Sequence, residues 1–297
     1  MFLATTLELA TPLIIAALGC LLSDRAGVVN IAIEGTMLTG AFVGAVVSLS
    51  PAGPVAGTAA AMVAGLILGG LLAWTHLHLG ADIFLAGIAL NLIAAGGTTL
   101  GLFALTQSDT GVQGSLQSHP LTAVAIPGLA RVPVLDNFAE LSPITWIAIV
   151  LVPTLTWTYF NTKQGIWTRA VGDNAAAVIE AGISPRAVKW RALLASGALA
   201  GLAGSQLSLF TTSTFVQNMT QGAGFIALAA VYLGFRHPIG TTVAALVFGA
   251  FQALSTILQV RTNLPTDPLL ALPYVVTVIA LGVAGLRTIR RRGVRLL

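Results

Sequence analysis

Two polar side chains that could bind a solute, Asn30 and Glu34, stand at the start of an otherwise apolar run. They lie four residues apart, so a helix here would place them on one face. A carboxylate at membrane depth is costly unless it faces protein or water. Gly27 and Gly35 flank the pair and permit a broken or re-entrant helix start, a backbone form that lines substrate sites in transporters. Glu34 is therefore predicted to line a solute pathway or to pair with Arg25, and the spacing permits both.

Three further residues, Asn91, Gln206 and Phe225, complete the predicted pathway. Asn91 lies near the middle of one apolar run and Gln206 in the outer part of another. Amides and a carboxylate suit the hydroxyls and ring nitrogens of a small polar solute, and an aromatic ring can stack on a flat base. The alternative for the amides is a hydrogen bond between helices. We predict that Asn30, Glu34 and Asn91 face a central polar cavity, with Gln206 and Phe225 as secondary members.

Other chemistries find little support in these residues. His76 and His78 are two apart, so they point to different helix faces and are expected at the membrane edge rather than in a metal site. The lone Cys20 excludes an internal disulfide framework. Neither lysine, Lys163 or Lys189, follows a glycine, so the sequence contains no phosphate loop. We expect a chain that is not an enzyme and carries no cofactor or metal, and whose ATP, if it uses any, is bound by another subunit.

The elements that position these residues are predicted to be membrane helices. Charged residues make up 8% of the chain, hydrophobic residues 56%, and mean hydropathy is +0.91, whereas roughly 25% of the residues in soluble domains are charged. So few charges do not cover a soluble globule of this length. We predict an all-α polytopic membrane protein, one domain spanning 1–297, with about nine crossings. The apolar segments are Leu3–Leu22, Val28–Leu49, Pro54–His76, Ile83–Thr106, Pro143–Phe160, Lys189–Phe210, Gly222–Phe235, Ile239–Val260 and Pro268–Leu286.

Basic residues set the predicted orientation, because they favour the cytoplasmic side of a membrane. With the N-terminus outside and the C-terminus inside, twelve of the 14 basic residues face the cytoplasm and only Arg131 and Arg261 face out. The polar stretch 107–141 is then an external loop, and 161–188 is cytoplasmic. The basic balance reflects these inner loops rather than a nucleic-acid-binding face. Glycines spaced by four inside the apolar runs are expected to let helices pack closely.

The cytoplasmic stretch 161–188 is predicted to contain a short amphipathic helix. Asp173 or Asn174 can cap it, and Gly182 can end it. Ser184-Pro185 can then start the next membrane helix. Such a helix either docks in a groove of a soluble partner or lies at the membrane surface.

Two stretches resemble one transporter family. Residues 165–204 are similar to the cytoplasmic coupling loop of ABC importer permeases of the branched-chain amino acid and simple-sugar class. Residues 23–35, SDRAGVVNIAIEG, resemble the signature of the nucleoside permeases within that class. The same subfamily pattern continues at 81–91, 224–230 and 237–240. The resemblance extends over essentially the whole chain, although Ala223 stands where relatives often carry Gln and loop 107–141 has no counterpart.

This resemblance implies a permease subunit in the cell membrane of a bacterium or archaeon. It implies a second permease subunit, two cytoplasmic ATPases that bind the ATP, and an external substrate-binding lipoprotein. The implied solute is a nucleoside first, then a simple sugar, then a branched-chain amino acid. The residues that the resemblance assigns to the ATPase contact are Gly172, Asp173, Asn174, Glu180, Gly182, Arg186 and Lys189. An ion-coupled secondary transporter is the alternative, because buried Glu34 and the helix-breaking glycines also suit that class.

Overall fold

The computed structural model describes residues 2–106, 114–125 and 140–261, together with single positions 275, 278 and 282. Its described part is mostly helical, with four very short strands. The helices are α1 (Phe2–Arg25), α2 (Ile33–Ser48), α3 (Gly53–Leu77), α4 (Ile83–Thr106), α5 (Pro143–Asn161), α6 (Lys163–Asp173), α7 (Ala175–Glu180), α8 (Pro185–Gln206), α9 (Ala223–Leu233) and α10 (Pro238–Arg261). The strands are β1 (Ser115–Gln117), β2 (Val124–Ala125), β3 (Glu140–Leu141) and β4 (Thr214–Val216).

Six of these helices are long and apolar enough to cross a membrane: α1, α3, α4, α5, α8 and α10. Helices α2 and α9 have 16 and 11 residues. At 1.5 Å per residue they are about 24 Å and 16 Å long, short of a hydrocarbon core of about 30 Å. Eight predicted apolar segments thus correspond to helices. The ninth, Pro268–Leu286, lies outside the described residues except at three positions, so the count of nine stays a prediction.

The second apolar segment does not begin as a helix at residue 28. Gly27 has a φ of +76°, and the chain then runs through turns and irregular backbone until α2 begins at Ile33. The predicted broken start is therefore confirmed. The predicted shared helix face of Asn30 and Glu34 is wrong, because Asn30 lies in the break and only Glu34 is helical.

Close contacts between glycines hold the centre of the bundle together. A Cβ on Gly65 of α3 would overlap the carbonyl oxygen of Gly197 on α8, and a Cβ on Gly197 would overlap that of Gly65. A Cβ on Gly40 of α2 would lie 2.6 Å from the Cα of Gly201 on α8. Three helices therefore approach backbone to backbone, as small residues permit in lipid. The predicted role of the spaced glycines is confirmed here.

The stretch predicted as an external loop contains strands in its described part. Strand β1 pairs antiparallel with β4, with Leu116 opposite Phe215, and β2 pairs with β3. The Ser118 hydroxyl donates to the carbonyl of Ser208 at 2.6 Å, inside a π-helical turn, Leu207–Thr211, that follows α8. The described part of this stretch thus lies against the bundle through paired backbone.

Candidate functional site

Glu34 joins the two short helices at their first turns. Its carboxylate accepts hydrogen bonds from the Thr220 hydroxyl at 2.6 Å and from the backbone nitrogens of Gly222 and Gly224 at 2.7 Å each. Glu34 lies in the first turn of α2, and Gly222 is the residue before α9. Two helix N-termini, each with a partial positive charge, therefore face one carboxylate. This arrangement offsets the cost of a carboxylate within the apolar bundle.

The segment that meets Glu34 has an unusual backbone. Gly222 has a φ of +82°, and Asn218 and Gln221 have φ values of 55° and 45°. Left-handed backbone at non-glycine residues is uncommon and is held by its surroundings. The three bonds to Glu34 supply such a constraint, because they tie Thr220, Gly222 and Gly224 to one side chain.

The alternative ion pair between Glu34 and Arg25 is not formed. The Arg25 Nε donates instead to the carbonyl oxygen of Arg236 at 2.9 Å. The Arg25 guanidinium also lies 5.7 Å from the ring centroid of Tyr159. Both oxygens of Glu34 are already bonded to the segment before α9. The interpretation of Glu34 as the structural partner of Arg25 is therefore wrong.

Asn91 fixes the break in front of α2 from the side of α4. Its Oδ1 accepts from the backbone nitrogen of Gly35 at 2.8 Å, and its Nδ2 donates to the carbonyl of Ile31 at 2.9 Å. One amide thus satisfies two backbone groups on either side of the first turn of α2. This is the inter-helix hydrogen bond that the sequence left open as an alternative.

Asn30 is buried in the break and reaches α8. Its side chain is 0% exposed, and its Nδ2 donates to the Ser196 hydroxyl at 2.9 Å. The Oδ1 atom has no hydrogen-bond partner within the described part of the chain. An unpaired buried carbonyl is uncommon in proteins. Asn30, Glu34 and Asn91 thus lie around the break before α2, a junction where Asn30 bonds α8, Glu34 bonds the start of α9 and Asn91 bonds backbone on both sides.

Gln206 lies apart from that junction, whereas Phe225 directly follows Gly224, whose backbone nitrogen bonds Glu34. Gln206 is fully buried, and its Oε1 accepts from the Ser142 hydroxyl at 2.8 Å. The Ser142 hydroxyl oxygen lies 3.0 Å from that of Thr145, and the Thr145 hydroxyl oxygen lies 3.0 Å from that of Thr11. This chain of hydroxyls ties α8 to the start of α5 and to α1. Phe225 is on the first turn of α9 and is 48% exposed.

A cavity of about 150 Å³ opens beside the junction. Its walls come from α1, from the segment 219–226 and from α10, and Thr220 belongs to both the cavity wall and the Glu34 cluster. The polar wall of α10 was missed by sequence reasoning. Its members, Gln252, Ser255, Thr256 and Gln259, follow the i, i+3, i+4, i+7 spacing of one helix face. Polar residues at that spacing within an apolar helix would have indicated a polar face turned toward a cavity.

The stretch 161–188 forms two helices rather than one. Asn174 caps α7, accepting from the backbone nitrogens of Ala176 and Ala177 at 3.1 and 3.3 Å, and Gly182 ends the turn with a φ of +75°. Ser184 caps α8, with Pro185 at its first position. These predicted caps are confirmed. Helix α6, which precedes α7, was not predicted.

Only Val178 of helix α7 is buried, and the other residues of the helix are exposed or half-buried. Val178 is buried with Val171 and Val188, whereas Ile179 is 62% exposed. Of the residues assigned to the ATPase contact, all but Lys189 are exposed, and Lys189 is half-buried. The exposed ones are Gly172, Asp173, Asn174, Glu180, Gly182 and Arg186. An exposed apolar residue ringed by charges is typical of a surface that meets a partner.

The same segment contacts the C-terminal end of α1. A Cβ on Gly172 would overlap the carbonyl oxygen of Arg25 and lie 3.3 Å from the nitrogen of Gly27. One residue earlier in α1, buried Asp24 accepts from the Arg236 Nε at 2.5 Å and from its Nη2 at 2.7 Å. A continuous set of contacts therefore runs from α6 through the end of α1 to the turn between α9 and α10.

Comparisons with known proteins identify relatives over most of the chain. A family model described as branched-chain amino acid transport system / permease component matches residues 2–281. The chain is 34% identical over 287 residues to the guanosine ABC transporter permease protein NupQ of Bacillus subtilis, covering 93% of this chain and 89% of that protein. It is 32% identical over 290 residues to the nucleoside ABC transporter permease protein NupC of Lactococcus lactis, covering 94% and 90%.

Two further matches are a permease at 30% sequence identity and a solved structure. The putative glucose ABC transporter permease protein TsgC13 of Haloferax volcanii is 30% identical, with 90% of this chain and 80% of that protein covered. Among solved structures, PsaBC from Streptococcus pneumoniae in complex with Fab superposes with a TM-score of 0.53 over 93% of this chain and 89% of that one. At 13% identity this likeness shows a common fold alone.

Proposed function

We propose a function from one premise: the chain belongs to the permease family described as branched-chain amino acid transport system / permease component. The proposed function is that of the membrane-spanning subunit of an ATP-driven ABC importer for nucleosides. The observation that carries it is the identity of 34% and 32%, over nearly the full chain, with permeases named for guanosine and nucleosides. A simple sugar is the second candidate solute, supported by the 30% identity with a putative glucose permease.

The proposed assembly contains four kinds of subunit. The chain pairs with a second permease subunit, and two cytoplasmic ATPases bind and hydrolyse ATP. An external lipoprotein delivers the solute at the surface of a bacterial or archaeal cell. The family membership supports this composition, because a permease component without its own phosphate loop needs an ATPase from another chain.

The proposed orientation keeps nine crossings, with the N-terminus outside and the C-terminus inside. The distribution of the 14 basic residues supports it. Helix α1 then begins outside and ends inside at Arg25, and α6 and α7 lie on the cytoplasmic side. The covered side of the bundle, with β1 and β4, faces the external lipoprotein.

The proposed pathway runs past the junction of the two short helices. Asn30, Glu34 and Asn91 hold the starts of α2 and α9 in place, and Gln206 and Phe225 are secondary members of the pathway. A solute at mid-membrane depth is thus bordered by broken helices, as in other transporter classes. Movement of either short helix changes the width of the path, and only contacts that differ between two states can drive that movement.

The proposed coupling surface is α7 with its flanking turns. Closure of the ATPases presses on exposed Ile179 and Glu180, with Arg186 and Lys189 beside them. Helix α6 transmits the displacement at Gly172 to the end of α1, and the Asp24–Arg236 ion pair transmits it to the turn between α9 and α10. The contact of Gly172 with the end of α1 supports this role, because two backbones packed directly against each other move together.

The function is tested by uptake into proteoliposomes that contain the chain with its partner permease, ATPases and binding lipoprotein. Radiolabelled guanosine is expected to accumulate on the side of the membrane that holds the ATPases, and only when ATP is present on that side. Accumulation of ribose but not guanosine would instead show that the importer carries a simple sugar. Guanosine uptake by the chain alone, driven by a proton or sodium gradient, would show a secondary transporter and overturn the importer.

A further inference from the structure

We infer that the cavity between α1, α9 and α10 is the nucleoside-binding site of the pathway, and that Gln252 reads the polar edge of the base. This inference rests on the proposed function, since it names where the solute of that importer binds. The cavity, about 150 Å³ in volume, is lined by polar residues from α10 and by apolar residues from α1 and α9.

The polar face of α10 borders the cavity, and only Thr256 on that face is exposed. Leu254, on the opposite face, is 38% exposed, and Val247 is 43% exposed. Gln252 and Gln259 are half-buried beside the cavity, and Ser255 is buried. Polar side chains in a membrane helix normally face the bundle interior or a water-filled path. The polar stripe therefore marks the cavity as part of a polar path rather than a packing defect.

The amide of Gln252 is available to a ligand. Within the part of the chain that the structure describes, no hydrogen bond to its side chain is formed, whereas the Gln252 backbone carbonyl accepts from the Thr256 hydroxyl at 3.0 Å. A half-buried amide without a protein partner gains most from a ligand that supplies both a donor and an acceptor. A glutamine side chain pairs in that way with adjacent donor and acceptor atoms of a purine edge.

The remaining walls select for the class of solute. None of the side chains lining the cavity carries a formal charge. An amino acid zwitterion would leave both its charges unpaired there, which is costly in a buried site. Leu207, Met219 and Ile226 supply apolar contacts in the same cavity. A neutral solute with one flat apolar face and several polar atoms, such as a nucleoside, matches these walls better than a sugar, whose surface is polar all round.

Glu34 positions one wall of this cavity without facing the solute. Thr220 lines the cavity and donates to Glu34 at 2.6 Å, and Ala223 of the wall lies between the two glycines bonded to that carboxylate. The cavity is smaller than the roughly 300 Å³ at the lower end of ligand sites. Binding of a nucleoside therefore requires that α9 or α10 move outward, and Glu34 connects that movement to the start of α2.

The test uses the complete importer in proteoliposomes, with saturating guanosine-loaded lipoprotein and ATP. Gln252→Leu keeps the size of the side chain and removes the amide, and Thr242→Val on the same helix is the matched control because its hydroxyl lies outside the cavity. We expect guanosine uptake to fall about tenfold in Gln252→Leu, the loss of roughly one hydrogen bond, while lipoprotein-stimulated ATP hydrolysis stays within twofold of wild type. Thr242→Val should transport normally.

A second measurement covers the case in which Gln252→Leu does not fold. Thr256 is an exposed residue of the cavity wall, and the native Cys20 is buried, so Thr256→Cys provides a single reactive thiol. Guanosine delivered by the lipoprotein should slow its reaction with a maleimide at least threefold. Unchanged labelling of Thr256→Cys, or normal uptake by a folded Gln252→Leu, would overturn the site while the importer stands. A wild-type importer that carries no nucleoside would instead refute the proposed function, and with it this site.

Discussion

The carboxylate of Glu34 lies 2.7 Å from the backbone nitrogen of Gly224, although 190 residues separate them. The Gly222 nitrogen also donates to this carboxylate. The side chain of Glu34 therefore connects the first turn of α2 to the first turn of α9. Two helices too short to cross a membrane thereby meet at one joint. The joint is the feature that distinguishes this fold from a bundle of uninterrupted helices.

Replacement of Glu34 by Gln tests the joint. One oxygen becomes an amide nitrogen and faces a backbone donor, so at least one of the three bonds is lost. We expect the free energy of unfolding to fall by about 1–3 kcal/mol and guanosine uptake by the complete importer to fall more than the loss of folded protein explains. Thermal unfolding in detergent and uptake per folded molecule are the measurements. Glu8→Gln is the matched control, and normal stability and uptake in Glu34→Gln would contradict the joint.

The Asp24–Arg236 ion pair is expected to stabilise the end of the bundle at which α1 ends and α10 begins. Asp24 is buried and the Arg236 side chain is 46% exposed. Asp24→Ala and Arg236→Ala should each lower the melting temperature, and the double variant should lose about 1–2 kcal/mol less than the sum of the two. Thermal unfolding of all four proteins measures this coupling. Strictly additive losses would mean that the pair contributes nothing beyond its separate contacts.

The contact between α3 and α8 should not tolerate a side chain. Gly65→Val would drive its Cβ into the carbonyl oxygen of Gly197, at a cost of about 1–3 kcal/mol or more. Gly96→Val on α4 is the control, since a Cβ there meets nothing within 4 Å. We expect a lower melting temperature and a lower folded yield for Gly65→Val alone. Equal behaviour of the two variants would contradict the backbone-to-backbone packing.

The orientation is testable by thiol labelling, because the only native cysteine is buried. An impermeant maleimide applied to intact cells should label Pro120→Cys and leave Lys163→Cys unlabelled until the membrane is opened. Both positions are exposed on the protein. A reporter fused after Leu297 should report the cytoplasm. The opposite pattern at all three positions would invert the topology.

The coupling surface is tested at the turn after α7. Gly182 has a φ of +75°, which proline does not adopt, and Glu180 is exposed beside it. We expect Gly182→Pro and Glu180→Arg to insert and fold while ATP hydrolysis continues and guanosine uptake falls at least tenfold. Uptake and hydrolysis are measured on the same proteoliposomes. Lys163→Arg serves as the control, and normal uptake in both test variants would remove this surface from the ATPase contact.

Local features of the architecture could be predicted from the sequence. Asn174 and Ser184 cap the helices that follow them, and Gly182 ends α7, because each of these effects depends on backbone within four residues. The apolar runs likewise predict the six long helices, since length and hydropathy alone decide whether a segment suits a bilayer. The motif at 23–35 and the coupling-loop pattern were sufficient to indicate the permease family.

The tertiary structure alone decided which polar groups meet. Spacing suggested that Asn30 and Glu34 share a helix face, but the break before Ile33 separates them and gives Asn30 to Ser196 and Glu34 to the start of α9. The cavity also joins residues of α1 to residues of α9 and α10 that lie more than 200 positions further along the chain. Such partners are set by how helices pack, because a hydrogen bond depends on distance in space and a local pattern specifies only the near neighbours along the chain.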